Sequence, residues 1–172
     1  MIQITDSERK KLYDTLLSLT EMQRTANSAV SALGKMDDQM KQIADMLKSY
    51  PNAPPAIKSS VDDISKRVTD LRTKIGRAGR TGGDGGDAEG GGGGGQQTIQ
   101  GRINGLKSEI IGSQSLPTQI QSTRLDAYLK ELNDTVGQLN MTINSMLPNL
   151  FRQLTDNNIH PTFGDYVKPV TR

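Results

Sequence analysis

An apolar residue returns every three or four positions from Leu12 to Leu47, and no proline interrupts the series: Leu12, Leu16, Leu19, Met22, Ala26, Val30, Leu33, Met36, Met40, Ile43 and Leu47. The mean spacing is about 3.5 residues, the period of a helix seam wound left-handed around partner helices. The spacing therefore predicts a long helix with one apolar face, which is stable only when packed on others. The fold class expected is all-α, an elongated antiparallel helical bundle of two long and two shorter helices. Residues 1–172 read as a single helical-bundle domain.

Composition supports a narrow bundle. The chain has no Trp, four Tyr and two Phe, so aliphatics and seven Met must fill the core. A formal net charge of +2 offers neither a nucleic-acid footprint nor a strong field toward a membrane surface. The absence of Cys excludes disulfides, zinc-thiolate sites and thiol chemistry. No stretch approaches the roughly 20 apolar residues of a membrane-spanning helix. Met1 is followed by Ile2-Gln3-Ile4-Thr5-Asp6, with no basic region or long apolar core, so no signal peptide is visible. Taken literally the chain is cytoplasmic; excised from a secreted parent protein, it would be extracytoplasmic.

The elements follow from caps and breakers. Thr5-x-x-Glu8 has capping-box spacing, and Pro51 with Pro54-Pro55 should stop the first helix near Ser49. Pro54-Pro55 opens a second helix whose stripe is Ile57, Val61, Ile64, Val68, Leu71 and Ile75, ending near Gly76. Residues 76–97 are dominated by glycine and read as a long flexible loop. Ile99, Ile103, Leu106 and Ile110 form a third, shorter stripe, followed by a turn over residues 112–116. Thr118-x-x-Gln121 is a second capping box. Leu125, Leu129, Leu132, Val136, Leu139, Ile143, Met146, Leu150 and Leu154 continue the last helix. Pro148 should kink that helix without ending it. Asn157-Asn158 and Pro161 terminate it, leaving an extended tail over 160–172. The two short helices can lie side by side or follow each other between the long rods. An up-down bundle would put the Gly-rich loop at one end or on the side.

Few residues suggest chemistry. Gly82-Gly83-Asp84-Gly85-Gly86-Asp87 matches one calcium-binding nonapeptide, but such sites need stacked repeats to share each ion. The same stretch lacks the Gly-Lys-Ser/Thr ending of a phosphate loop. Arg77 and Arg80 are offset by Asp84, Asp87 and Glu89, with no aromatic for base stacking, so a solvated linker is the better reading. His160 is the lone histidine, in the tail, without metal or triad partners. Glu109 and Glu131 fall short of a di-iron pattern because no helix carries Glu-x-x-His. Asn133-Asp134-Thr135 and Asn140-Met141-Thr142 match the glycosylation acceptor inside a predicted helix. Asn133, Asn140 and Asn144 share one helix edge, either setting register or forming a polar flank. Met22, Met36, Met40, Met46, Met141 and Met146 read as core. No catalytic, cofactor or metal residue is assigned, no cofactor is expected, and the expectation is a protein that is not an enzyme.

The second half resembles the helical segment that ends bacterial sortilin-like proteins with BNR/Asp-box repeats, often labelled glycosyl hydrolases. The resemblance runs through Ile103-Asn104-Gly105-Leu106, Leu116-Pro117-Thr118, Leu125, Leu132 and Leu139. It continues in Leu147-Pro148-Asn149-Leu150, Leu154 and Asn158-Ile159. The first helix also looks like the opening rod of that segment, which in the family follows a β-propeller. The propeller has no counterpart here, and with it go any ligand-binding or hydrolytic residues. The resemblance implies a non-catalytic helical module accessory to a secreted β-propeller protein, acting as spacer, docking or association domain. Its partner would be the propeller of its own parent chain or of another protein. Ile2-Gln3-Ile4 alternates like the exit of a preceding strand. The alternative is an independent bundle that binds a partner helix in a groove between its long rods. Either way, seam residues left over by an incomplete bundle would favour a homo-oligomer.

Overall fold

The computed structural model of the chain describes residues 5–76, 98–113, 115–161 and 167–171. Helix α1 (Asp6–Leu47) has 42 residues and is a rod about 63 Å long at 1.5 Å per residue. Helices α2 (Pro55–Ile75) and α3 (Ile99–Ser113) follow. The last rod is α4 (Gln119–Met141), a π-helical turn (Thr142–Met146) and α5 (Leu147–Asp156), continuous with one another. Counting that rod once, four helices pack antiparallel, two of them long, and the described residues contain no strand.

The helix starts lie where the sequence puts them. Thr5 Oγ1 accepts the Glu8 N–H at 3.3 Å, and Glu8 Oε2 accepts the Thr5 N–H at 2.8 Å. Thr118 and Gln121 repeat the exchange at 3.2 and 2.9 Å. Each box satisfies donors that a helix start leaves without an intrahelical partner. Pro55 opens α2, where a missing N–H costs nothing.

The middle layer is settled by its lateral contacts. Arg72 of α2 pairs with Asp37 of α1 at 2.8 Å. Gln100 of α3 donates to Asn27 at 2.6 Å, and Lys107 donates to Thr20 and Gln23 at 3.1 and 2.7 Å. As α2 and α3 advance, their partners on α1 recede, so both run antiparallel to α1 and one follows the other. On the opposite side, Ser60 meets Gln153, and Arg67 meets Met146. The two short helices thus form one interrupted rod between the two long ones.

Gly76 marks the interruption. Its φ of 138° is a conformation that side chains strain to adopt, and a Cβ there would stand 2.6 Å from Gln100 Oε1. The close approach of Gly76 to Gln100 puts the end of α2 and the start of α3 beside each other at mid-rod. The flexible loop expected there lies outside the described residues from 77 onward.

Two details differ from expectation. Helix α3 continues through Gly112 to Ser113, so the connection to α4 begins two residues later than the turn expected over 112–116. At Pro148 the helix does resume, and the means is the π turn: the Leu147 N–H reaches back five residues to the Thr142 carbonyl. The wider turn accommodates a ring that would crowd the carbonyl of Asn144 in an α-helix. The rod then ends at Asn158, whose φ of 56° is left-handed. Asn158 N–H bonds to the Thr155 carbonyl and Ile159 N–H to the Leu154 carbonyl, which closes a Schellman motif with Asn in place of Gly.

The core is aliphatic. The stripes of α2 and α3 are buried throughout, as are Leu132, Val136, Leu139, Ile143, Leu147, Leu150 and Leu154 of the last rod. On α1 full burial begins at Leu19, while Leu12 and Leu16 pack only partly. Leu125 and Met146 are also half-buried. Leu129, placed on the stripe by its spacing, is exposed, as is Met141.

Candidate functional site

The acids and the histidine singled out from sequence do not converge. His160 is exposed just beyond the end of the last rod. Glu131 pairs with Arg102 at 2.7 Å, and Glu109 pairs with Arg124. The Arg102 guanidinium also lies 5.1 Å from the centre of the Tyr128 ring, a cation–π distance. The hydrogen bonds that Arg102 and Arg124 donate to Glu131 and Glu109 hold both guanidinium groups charged to still higher pH than usual. These two pairs tie α3 to α4. They are half-exposed and worth at most about 1 kcal/mol each. Met22, Met36 and Met40 are core, Met46 and Met146 half-buried.

Among the described residues no group of three or more His, Cys, Asp or Glu is placed to hold a metal ion. The glycine-rich candidates, from Arg77 to Glu89, lie outside the described residues. A cleft beside Ala44, Leu47 and Val61 carries a single acid, Asp62, next to Lys48 and Lys58. A second, between the α1–α2 turn and the end of the last rod, is formed by Tyr50, Pro51, Pro54 and Asn157. Neither brings a nucleophile to a base.

The unusual surface is apolar and lies at one end. Register along the lateral contacts puts the α3–α4 turn beside the third turn of α1. The first residues of α1, from Asp6 to about Leu12, extend past that turn with no described helix alongside. Tyr13 (65% exposed), Leu17, Ile111 and Ile120 (73% exposed) all belong to this end, with Leu129 a few turns along. Ile111 and Ile120 flank the α3–α4 turn. The overhang is a helix all the same, because the Thr5–Glu8 box holds its first turn. That box also keeps the Glu8 carboxyl below its ordinary pKa, chiefly through the Thr5 N–H.

Sequence spacing could not reveal this end, since Leu12 and Leu16 continue the same period as the buried seam. The other unforeseen contact joins Asn140 to Val170. By spacing, Asn140 belongs to a polar helix edge and Val170 to an extended tail. The only local signal is the cluster of apolar and aromatic residues in the tail, Phe163, Tyr166, Val167 and Val170.

No family model, curated protein or solved structure matches this chain. Among the described residues no helix is long and apolar enough to cross a membrane.

Proposed function

We propose that this chain is a non-catalytic helical module, a stiff spacer with a docking end, accessory to a β-propeller protein. The observation that carries the reading is the uncovered apolar end. The start of α1, where Tyr13 is exposed and Leu12 and Leu16 are only partly packed, is marginal in water by itself. It gains stability once a neighbouring domain covers it and the adjacent Ile111 and Ile120. That end is also where polypeptide preceding Thr5 would join, so a domain placed before the rod meets the uncovered residues first. The resemblance to the segment following the propeller of sortilin-like proteins would put such a domain in that position. A partner helix lying between the long rods is less well supported, because α2 and α3 occupy that space.

The gene is the first test. An in-frame upstream region encoding Asp-box repeats (Ser-x-Asp-x-Gly-x-x-Trp) is expected. A stop codon directly upstream of Met1, with no propeller gene alongside, overturns the reading. With a parent chain in hand, Ile120→Asp together with Tyr13→Asp should loosen the module from its neighbour. Faster proteolysis at the junction reports it, while the rod's own helical signal persists.

A further inference from the structure

Residues 167–171 have no regular secondary structure, yet they sit against the rod. Val170 is only 7% exposed, and Val167 is half-buried against the same core. Lys168, Pro169 and Thr171 between and beside them face solvent. The polar part of the contact is made by Asn140 of α4. The Val170 N–H donates to Asn140 Oδ1 at 2.8 Å, and Asn140 Nδ2 donates to the Val170 carbonyl at 2.9 Å. A primary amide that gives one bond and takes one from the same residue does what an adjacent strand does in a ladder. It recognises extended backbone whatever the side chain. The side chain is read separately, by the apolar slot that buries Val170.

The tail reaches this place by doubling back. About 24 Å of helix rise separates Asp156 from Asn140. The chain between Ile159 and Val170 covers that span comfortably at ~3.3 Å per extended residue. Two shielded hydrogen bonds and one buried valine hold the segment, and no helix of the rod depends on it for its own hydrogen bonds. Such a segment opens locally, without melting what it rests on.

We propose that Asn140 and the slot beside it form a binding site for an extended peptide with a small branched apolar side chain. The chain's own C-terminal segment is its resident ligand, and the segment is exchangeable. When the tail lifts, the amide and the slot are both presented to solvent. A peptide of matching chemistry then binds in its place, with Asn140 clamping the backbone and the slot selecting a valine-like side chain. This site lies well away from the apolar end described above and does not depend on the accessory reading.

The test uses the full-length chain carrying Val170→Asp, which empties the slot while keeping Asn140. The probe is a fluorescent synthetic peptide with the sequence of residues 165–172, followed by anisotropy. Binding to the V170D chain is expected, and binding about tenfold weaker or less to the natural chain, whose site is filled. Adding Asn140→Ala to V170D should weaken binding by about tenfold or more, since both backbone bonds go. Absence of binding to V170D overturns the proposal, and so does equal binding with and without Asn140. Should V170D lose its helical circular dichroism, hydrogen exchange on the natural chain and on Asn140→Ala decides instead. The Val170 amide should exchange about tenfold faster or more in N140A while the Leu139 and Ile143 amides keep their protection. Unchanged exchange at Val170, or joint loss at all three, refutes a separately opening tail.

Discussion

The two ends of the rod carry the same apolar period and meet different fates. At one, Leu47, Ile57, Leu154 and Ile159 are all buried. There Pro54-Pro55 turns the chain tightly into α2, and the Asn158 Schellman motif folds Ile159 onto the core. At the other, α1 continues past its neighbours, and Tyr13, Leu17, Ile111 and Ile120 remain in water. Helix periodicity describes a face; whether that face is a core or a docking surface depends on how far the neighbouring elements reach. A seam residue beyond that reach is as apolar as one inside it and contributes far less to stability.

The largest test of this contrast is a pair of truncations. Leu154→Ala, at the closed end, should cost about 2–5 kcal/mol, as deletions of buried leucine side chains do. Leu17→Ala, at the open end, should stay within about 0.5 kcal/mol. Urea unfolding followed by circular dichroism compares the two directly, and similar losses would break the distinction between the ends.

Glycines at mid-rod sharpen it. Gly76 and Gly34 both lie at mid-rod, but only Gly76 has a φ that a Cβ would strain, with Gln100 in the way. Gly76→Ala should cost about 1–3 kcal/mol. Gly34 sits inside α1, and an added methyl would meet nothing within 4 Å, so Gly34→Ala should stabilise by about 0.5–1 kcal/mol. Thermal melts of the two variants should move in opposite directions. A destabilised G34A would mean that a neighbouring element needs the space beside Gly34.

The smallest effect is acid-dependent and sets the middle of the rod against its open end. Lys41, by hydrogen bond and charge, and Arg72 across the α1–α2 contact hold the Asp37 carboxyl below its ordinary pKa. A carboxylate depressed in the folded state adds stability above its unfolded pKa and loses it as pH falls through the folded value. Stability should therefore decline below about pH 4 by roughly 1 kcal/mol or less from this group, and Asp37→Asn should flatten that limb. Glu8 is depressed as well, but on the overhang. Its protonation should fray the first turn of α1 without shifting the cooperative transition. If Glu8→Gln moved the whole melt as far as Asp37→Asn, the overhang would be part of the cooperative unit.

Much of the architecture was legible because helices announce themselves locally. Thr5 and Thr118 carry their capping partners three residues on, Pro55 stands at a helix start, and the stripes of α2 and α3 are buried to the last residue. The π turn was not legible in kind, since Pro148 reports only that an α-helical bond is missing, not how the backbone makes room. The surfaces with functional promise were legible least. Leu129 and Leu132 obey one period, yet only Leu132 faces a neighbour. Asn140 looks like any polar flank until Val170, 30 residues away, arrives beside it.

The sequence by itself determined which segments are helical, where they begin and which face of each is apolar, because those properties depend on residues within a few positions of one another. The tertiary structure alone decided that α2 and α3 form one interrupted rod, that α1 outruns its partners, and that the tail returns to Asn140. Each of these is a matter of register between distant segments, and register is set by the summed packing of whole faces, which no local spacing encodes.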